Sequence, residues 1–219
     1  MHPFFGYLMI LHLFSFGPLQ TTAALFACPK TLIAAVIDPG VDSVSALLKV
    51  LQKEGLTLNK ILLTHSHWDH IAGVHELREK TGASVYIHPS DKRNLESPGS
   101  DKLPLFSPIE SAKPDHLLQD GQILEVGALQ VSVIHTPGHS PGGVCFYIPS
   151  EKIIFSGDTL FRGTIGNLGL PTAVASDMWP SLKKLALLPS DTRVIPGHGR
   201  ETTIGQEKSW LDRADELFK

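Results

Sequence analysis

Seven consecutive residues, Thr64-His65-Ser66-His67-Trp68-Asp69-His70, hold three imidazoles and a carboxylate. Imidazole nitrogen and carboxylate oxygen are the usual ligands of zinc, manganese and iron. The apolar run Lys60-Ile61-Leu62-Leu63 before them is short enough for a buried strand, and Ile71, Val74 and Leu77 after them fall at helical spacing. A strand-to-helix turn would aim all four side chains at one point. A polar loop that happens to be rich in histidine is the bland alternative, and the density of ligand-type residues argues for a metal site instead.

Three later segments share that arrangement. His139 lies between two Pro-Gly turns in His135-Thr136-Pro137-Gly138-His139-Ser140-Pro141-Gly142. Asp158 ends the strand-like run Ile154-Phe155-Ser156-Gly157-Asp158-Thr159, and His198 follows another in Pro196-Gly197-His198-Gly199. One such residue would be an ordinary loop side chain. A set of ligand-type residues, each in a tight loop at a strand end, can be gathered by sheet packing at one edge.

The elements that must position them read as follows. Strands are expected at 8–16, 23–28, 32–37, 60–64 and 83–88, and a meander at 122–126, 129–135, 143–148 and 152–156, with a further strand at 192–195. Val44, Leu47, Leu48 and Leu51 define a helix capped by Asp42 or Ser43 and stopped by Gly55. A second helix runs from the His cluster to Lys80, and a third is capped by Ser176 or Asp177, with Leu182, Leu185 and Leu188 on one face. The last carries Ile204, Glu207, Trp210, Leu211, Ala214 and Leu217. Residues 89–115 contain five prolines and no periodicity, which predicts a long loop serving as a lid or substrate wall, or else a surface insertion. Strand blocks alternating with helices suggest two packed sheets with helices outside, in one domain spanning 1–219.

Composition narrows the chemistry. At 219 residues, 42% hydrophobic and 19% charged, the chain is an ordinary globular one with ample core. A net charge of −3 gives no reason to expect nucleic acid, whose phosphates call for clustered Lys and Arg. Cys28 and Cys145 each sit in an apolar run, so buried free thiols and a reducing cytoplasm are expected. The apolar start through Leu8-Met9-Ile10-Leu11-His12-Leu13-Phe14 lacks a preceding Lys or Arg and is too short to span a membrane. It reads as an opening strand after a poorly determined tail at 1–8, with Met9 an alternative start.

The His65-Ser66-His67-Trp68-Asp69-His70 motif, followed by His139, Asp158 and His198, resembles the metal-ligand series of the metallo-β-lactamase superfamily. The stretches Val36-Ile37-Asp38-Pro39-Gly40, Phe155-Ser156-Gly157-Asp158-Thr159-Leu160-Phe161, Pro196-Gly197-His198-Gly199 and Glu201-Thr202-Thr203-Ile204-Gly205 are most similar to small bacterial type II glyoxalase-like (hydroxyacylglutathione hydrolase-like) proteins. The resemblance runs from about Phe16 to the end. It implies an α/β (α+β) fold, a four-layer αββα sandwich of two mixed β-sheets flanked by helices. It also implies two divalent ions, zinc first and iron or manganese next. His65, His67 and His139 would hold one ion, and Asp69, His70 and His198 the other, with Asp158 bridging. Such a pair can share a hydroxide that attacks a thioester carbonyl, with Asp69 orienting the nucleophile and taking its proton.

The substrate side departs from the resemblance. Where relatives carry a basic residue, this chain runs Arg162-Gly163-Thr164-Ile165-Gly166-Asn167, which leaves Arg162 and Asn167 as the substrate-binding candidates and makes glutathione one possible thiol. Thr21-Thr22-Ala23-Ala24 replaces the family's more usual Thr-Asn start. Ser66, Trp68 and Ser140 are expected at the rim. His88 and His135 are expected to orient a ligand or to pack, and His2, His12, His75 and His116 to lie at the surface. Two other functions share the scaffold: a persulfide dioxygenase with one Fe(II) on His65, His139 and Asp158, and a non-catalytic metal-stabilised protein. Intact ligands for a second ion favour the hydrolase.

Overall fold

A computed structural model describes residues 9–217 of the chain, so the expectations for the tail at 1–8 and for His2 lie outside the described residues. The first sheet is built from β1 (Ile10–Phe16), β2 (Thr21–Ala27), β3 (Ile33–Ile37), β4 (Thr57–Leu62), β5 (Ser84–Ile87) and β6 (His116–Leu117), in that order. Its first three strands are antiparallel, and β3 to β6 are parallel. Parallel neighbours need crossovers. These are α1 (Val44–Glu54) and the helical stretch α2 (Trp68–Ile71) and α3 (Val74–Thr81); a turn at Pro89–Asp91 and α4 (Lys92–Glu96) then begin the connection to β6.

The second sheet uses β7 (Ile123–Val126), β8 (Leu129–His135), β9 (Val144–Ile148), β10 (Ile153–Gly157), β13 (Arg193–Pro196) and β14 (Thr202–Thr203), ordered β14-β13-β10-β9-β8-β7. A small hairpin, β11 (Leu160–Phe161) and β12 (Thr164–Ile165), stands beside it. The helices α5 (Ala175–Ala186), α6 (Ile204–Leu211) and α7 (Ala214–Leu217) complete the chain.

Apolar residues sort into three layers. Phe26, Ile37, Leu62, Val131, Phe146 and Phe155 fill the space between the sheets. Leu25, Val36, Ile61 and Val85 face α1 and α3 through Leu47, Leu51, Val74 and Leu77. Cys145, Ile154 and Val194 meet Met178, Leu182, Leu185 and Leu211 on the other side. This is the αββα sandwich of two mixed sheets. Both cysteines are buried free thiols, and no helix of the described residues is long and apolar enough to cross a membrane.

Several boundaries differ from the sequence reading. Residues 89–115 are not one loop, because Pro89–Glu96 is helical and Asp91, Asn94, Leu95 and Asp101 are buried. The helix after the His cluster breaks between Ile71 and Val74, where the Gly73 N–H donates to the Pro39 carbonyl at 2.7 Å rather than continuing the helix ladder. Helix α5 begins at Ala175 with Val174 as its N-cap, ahead of Ser176 and Asp177, because the Val174 N–H is held by the Gly138 carbonyl at 2.7 Å. At α1, Ser43 occupies the cap position, but its hydroxyl donates to the Gly40 carbonyl at 2.8 Å instead of capping.

Candidate metal centre

The expected ligands come together at one edge of the two sheets. Strand β4 ends at Leu62, and the chain leaves the ladder through Thr64 so that His65 and His67 precede α2, which carries Asp69 and His70. His139 comes from the loop between β8 and β9, Asp158 from the end of β10, and His198 from just beyond β13. The nitrogens of His65, His67 and His139 form one group, and the ligand atoms of Asp69, His70 and His198 another; within each, the atoms lie within 4.8 Å of one another. Asp158 reaches both, with Oδ2 at 3.3 Å from His139 Nε2 and 3.5 Å from His198 Nε2, and Oδ1 at 3.5 Å from His70 Nε2.

Each half offers a physical test of fit to a metal. In the first, the Nε2 atoms of His65, His67 and His139 are buried without a hydrogen-bond partner, which natural interiors seldom tolerate. In the second, His70 Nε2 lies 3.3 Å from His198 Nε2, and Asp69 Oδ2 lies 3.4 Å and 3.3 Å from those two nitrogens. Ligand atoms about 2.0–2.1 Å from a tetrahedral ion are separated by about 3.3 Å. The residues present fit a divalent ion in both halves. The backbone also approaches closely: a Cβ on Gly197 would fall 2.2 Å from Asp158 Oδ1 and 2.8 Å from His70 Cε1, so only glycine fits.

The far ring nitrogens of His65, His70, His139 and His198 are anchored. His139 Nδ1 donates to the Asn167 carbonyl and His198 Nδ1 to the Leu19 carbonyl, each at 3.0 Å. His70 Nδ1 donates to Asp38 Oδ2 at 2.9 Å. The Thr64 hydroxyl donates to the same Oδ2 at 2.5 Å, which leaves its oxygen to accept from His65 Nδ1 at 3.0 Å. Protonating Nδ1 points the Nε2 lone pair into the site, as metal-bound histidines require. Thr21 donates to Asp69 Oδ2 at 2.6 Å.

Asp38 is one residue that sequence reasoning missed. It is 1% exposed, has the left-handed φ of 48°, and also accepts from the Thr64 N–H at 2.8 Å. Asp38-Pro39-Gly40 reads simply as a turn. A carboxylate ending β3 beside the end of parallel β4 was the available signal, and it needed the strand pairing to be seen.

Before an ion binds, the halves differ in charge. Burial pushes His65 well below its usual range, and the positive charges of His70 and His67 add to this. Burial and then His139 and His70 push His67 down to about 3, and burial lowers His139 against the pull of Asp158. Burial opposes the charge on His70 too, but Asp69, Asp38 and Asp158 outweigh it and raise it to about 9. His198 rises to about 10 because hydrogen bonds to Asp158 and Asp69 overcome its burial. Burial works to raise both carboxyls, yet His70 and the hydrogen bond from His198 hold Asp69 and Asp158 below the ordinary range.

The remaining expected residues surround this centre. Trp68 is buried and packs on exposed Phe106, with ring centroids 5.1 Å apart. A cavity of about 150 Å³ beside His67 is lined by Ser66, Asp91, Arg93, Asn94, Ser140 and Thr172. Arg162 is exposed in the turn of the β11–β12 hairpin, whose Phe161 ring stands 6.2 Å from His198. Asn167 meets the site through its carbonyl; its side-chain Oδ1 accepts from the Gly169 N–H at 2.8 Å. His88 and His135 stack at 4.0 Å, and His135 Nε2 donates to the Pro141 carbonyl at 3.1 Å, so this ring steadies the His139 loop rather than a ligand ring. His12, His75 and His116 lie away from the centre, against Glu54, Glu110 and Tyr86.

An α/β sandwich with paired His/Asp groups at its sheet edge defines a metal-binding, hydrolase-like scaffold. The chain belongs to the metallo-beta-lactamase superfamily, whose family model matches residues 17–198. It is 35% identical over 179 residues to hydroxyacylglutathione hydrolase GloC of Haemophilus influenzae, covering 80% of this chain and 84% of that one. The probable metallo-hydrolase YqgX of Bacillus subtilis is 35% identical, over 88% of this chain and 91% of its own. Among solved structures, BLEG-1 B3 metallo-beta-lactamase superposes with a TM-score of 0.84 at 41% identity, covering 91% of this chain and 97% of that one. TTHA1623 in a di-iron-bound form gives 0.74 at 39%, over 90% and 96%. ETHE1 from Myxococcus xanthus gives 0.77 at 28%, over 91% and 82%.

Proposed function

We propose that the chain is a dinuclear metal-dependent hydrolase of thioesters, of the hydroxyacylglutathione hydrolase kind. The observation that carries this reading is the pair of ligand groups sharing Asp158, which stands 3.3 Å from His139 Nε2 and 3.5 Å from His70 Nε2. His65, His67 and His139 hold one ion; Asp69, His70 and His198 hold the other; Asp158 belongs to both. Zinc suits the nitrogen-rich donor set, and the di-iron form of a 39% identical structure makes iron the next choice. Two such ions, when bound, supply Lewis acidity for the substrate carbonyl and lower the pKa of an attacking water toward about 7.

The chain's own residues do the rest. Asp69 contacts Thr21, His70 and His198 through Oδ2, which leaves Oδ1 to orient the attacking water and accept its proton. Attack forms a C–O bond and breaks the C–S bond, and the thiol leaves with that proton. Thr21 fixes the Asp69 carboxylate, so the acceptor oxygen is positioned before substrate arrives. Arg162 and Asn167 bind substrate at the mouth. The match to a hydroxyacylglutathione hydrolase supports a glutathione thioester, and a cytoplasmic protein would meet one.

Metal analysis of the purified protein, with S-lactoylglutathione hydrolysis and oxygen uptake on glutathione persulfide, tests the reading. Two metals per chain and thioester turnover are expected. One iron per chain with persulfide-dependent oxygen consumption would sink it.

A further inference from the structure

The segment 89–103 carries a buried polar cluster outside the ligand set. Asp91 is 3% exposed, and both carboxylate oxygens are used: Oδ2 accepts from the Ser66 N–H at 2.9 Å and Oδ1 from the Gly142 N–H at 2.7 Å. Ser66 lies between His65 and His67, and Gly142 closes the loop that carries His139. One carboxylate therefore spans the two loops that supply the whole first ligand group. The same loops meet again where the Val144 N–H donates to the Thr64 carbonyl at 2.8 Å, so the span is fixed at both ends.

Asn94 holds the brace in place. Its Nδ2 donates to the Ser66 carbonyl at 2.6 Å and to Asp101 Oδ2 at 2.9 Å. Its Oδ1 accepts from the Gly99 and Asp101 N–H groups at 3.0 Å and 3.2 Å. Both backbone groups of Ser66 are thus satisfied from this segment. Loop N–H groups buried without an acceptor would be costly, and a carboxylate accepting two of them makes charge-assisted bonds roughly twice as strong as neutral ones. The second ligand group receives nothing from this segment: its anchors are Thr21, Leu19 and Asp38.

We infer that Asp91 is a positioning residue for the His65/His67/His139 half of the centre, setting the separation of its two loops and hence the metal affinity of that half alone. The inference rests on the dinuclear reading for the existence of two halves, but not on thioester chemistry. Its test reads metal binding and needs no substrate.

Asp91→Asn keeps the volume and one acceptor but turns an amide N–H toward the other loop N–H. Gly142→Ala disturbs the contact from the opposite side, since a Cβ there would fall 2.6 Å from Asp91 Oδ1. Each chelated variant is titrated with Zn²⁺ against a chromophoric chelator, and its thermal midpoint is recorded. The expected result is a 10- to 100-fold loss of affinity at one of two sites, as for removal of a ligand's supporting hydrogen bond, with the other changed less than about threefold. Asp91→Glu, which keeps the charge and both oxygens, should recover part of the loss. An equal loss at both sites, or a lowered thermal midpoint with both affinities intact, would overturn the inference. A wild-type chain that binds no Zn²⁺ would overturn it together with the metal reading, whereas two-site binding without thioester turnover would refute only the proposed reaction.

Discussion

The two ligand groups are neighbours built on opposite principles. His65, His67 and His139 present three buried Nε2 atoms without partners, in rings whose basicity burial has suppressed. Asp69, His70 and His198 are held among carboxylates that raise the two imidazoles to about 9 and about 10. The first group offers three neutral nitrogens to a Lewis acid. The second, without metal, is satisfied by protons that an ion must displace. A metal site need not be uniformly preorganised: one half here is ready to bind, and the other exchanges one positive charge for another.

Breaking the shared residue should have the largest effect. Asp158→Ala removes the carboxylate proposed as a ligand to both ions and should lose both metals, with hydrolysis falling about a thousandfold or more. Plasma emission analysis and single-turnover kinetics check this, and full occupancy in the variant would refute the sharing.

Breaking one half should be selective. His198→Ala is expected to retain one metal per chain on the three-histidine half, and to lose activity about a hundredfold or more, read by metal stoichiometry. Asp38→Asn is a milder lesion on the same side, because it weakens the hydrogen bond that fixes the His70 tautomer. Metal affinity there should drop 10- to 100-fold, with a smaller loss in the other half, whose His65 is held through Thr64 by the same carboxylate.

Acidity separates the halves without mutation. In the chelated protein, His70 and His198 bind protons more tightly folded than unfolded, so their contribution to stability is complete below pH 6.5 and lost as pH rises through about 9 and 10. His67, lowered to about 3, behaves oppositely: its contribution is present above pH 6.5 and lost as pH falls toward 3. Thermal scans of the metal-free protein should therefore peak near pH 6.5, and added Zn²⁺ should stabilise most on the alkaline side. The smallest effect is expected at the mouth, where Arg162→Ala should raise KM a few-fold with kcat unchanged.

The contrast extends to what could be read in the sequence. Ligand-type residues were visible because they are chemically conspicuous and sit at strand ends, and strands were visible as well, β8 in its apolar alternation and β9 in its continuous apolar run. The carboxylates that position them were not. Asp38 looks like a turn residue until β3 and β4 are paired, and Asp91 lies in a proline-rich stretch without periodicity, where its carboxylate is bonded by distant loops. Helix α5 started early for a similar reason: the Gly138 carbonyl, remote in sequence, holds the Val174 N–H. Local patterns report which element forms, while tertiary hydrogen bonds decide where it begins and what it braces.

Calorimetric titration of the chelated protein with Zn²⁺ near pH 7.5, repeated in buffers of different ionisation enthalpy, tests the asymmetry most directly. The account predicts two binding steps: a first that releases few protons and a second that releases more, because His70 and His198 must give up theirs. A single step, or two steps releasing equal numbers of protons, would contradict it.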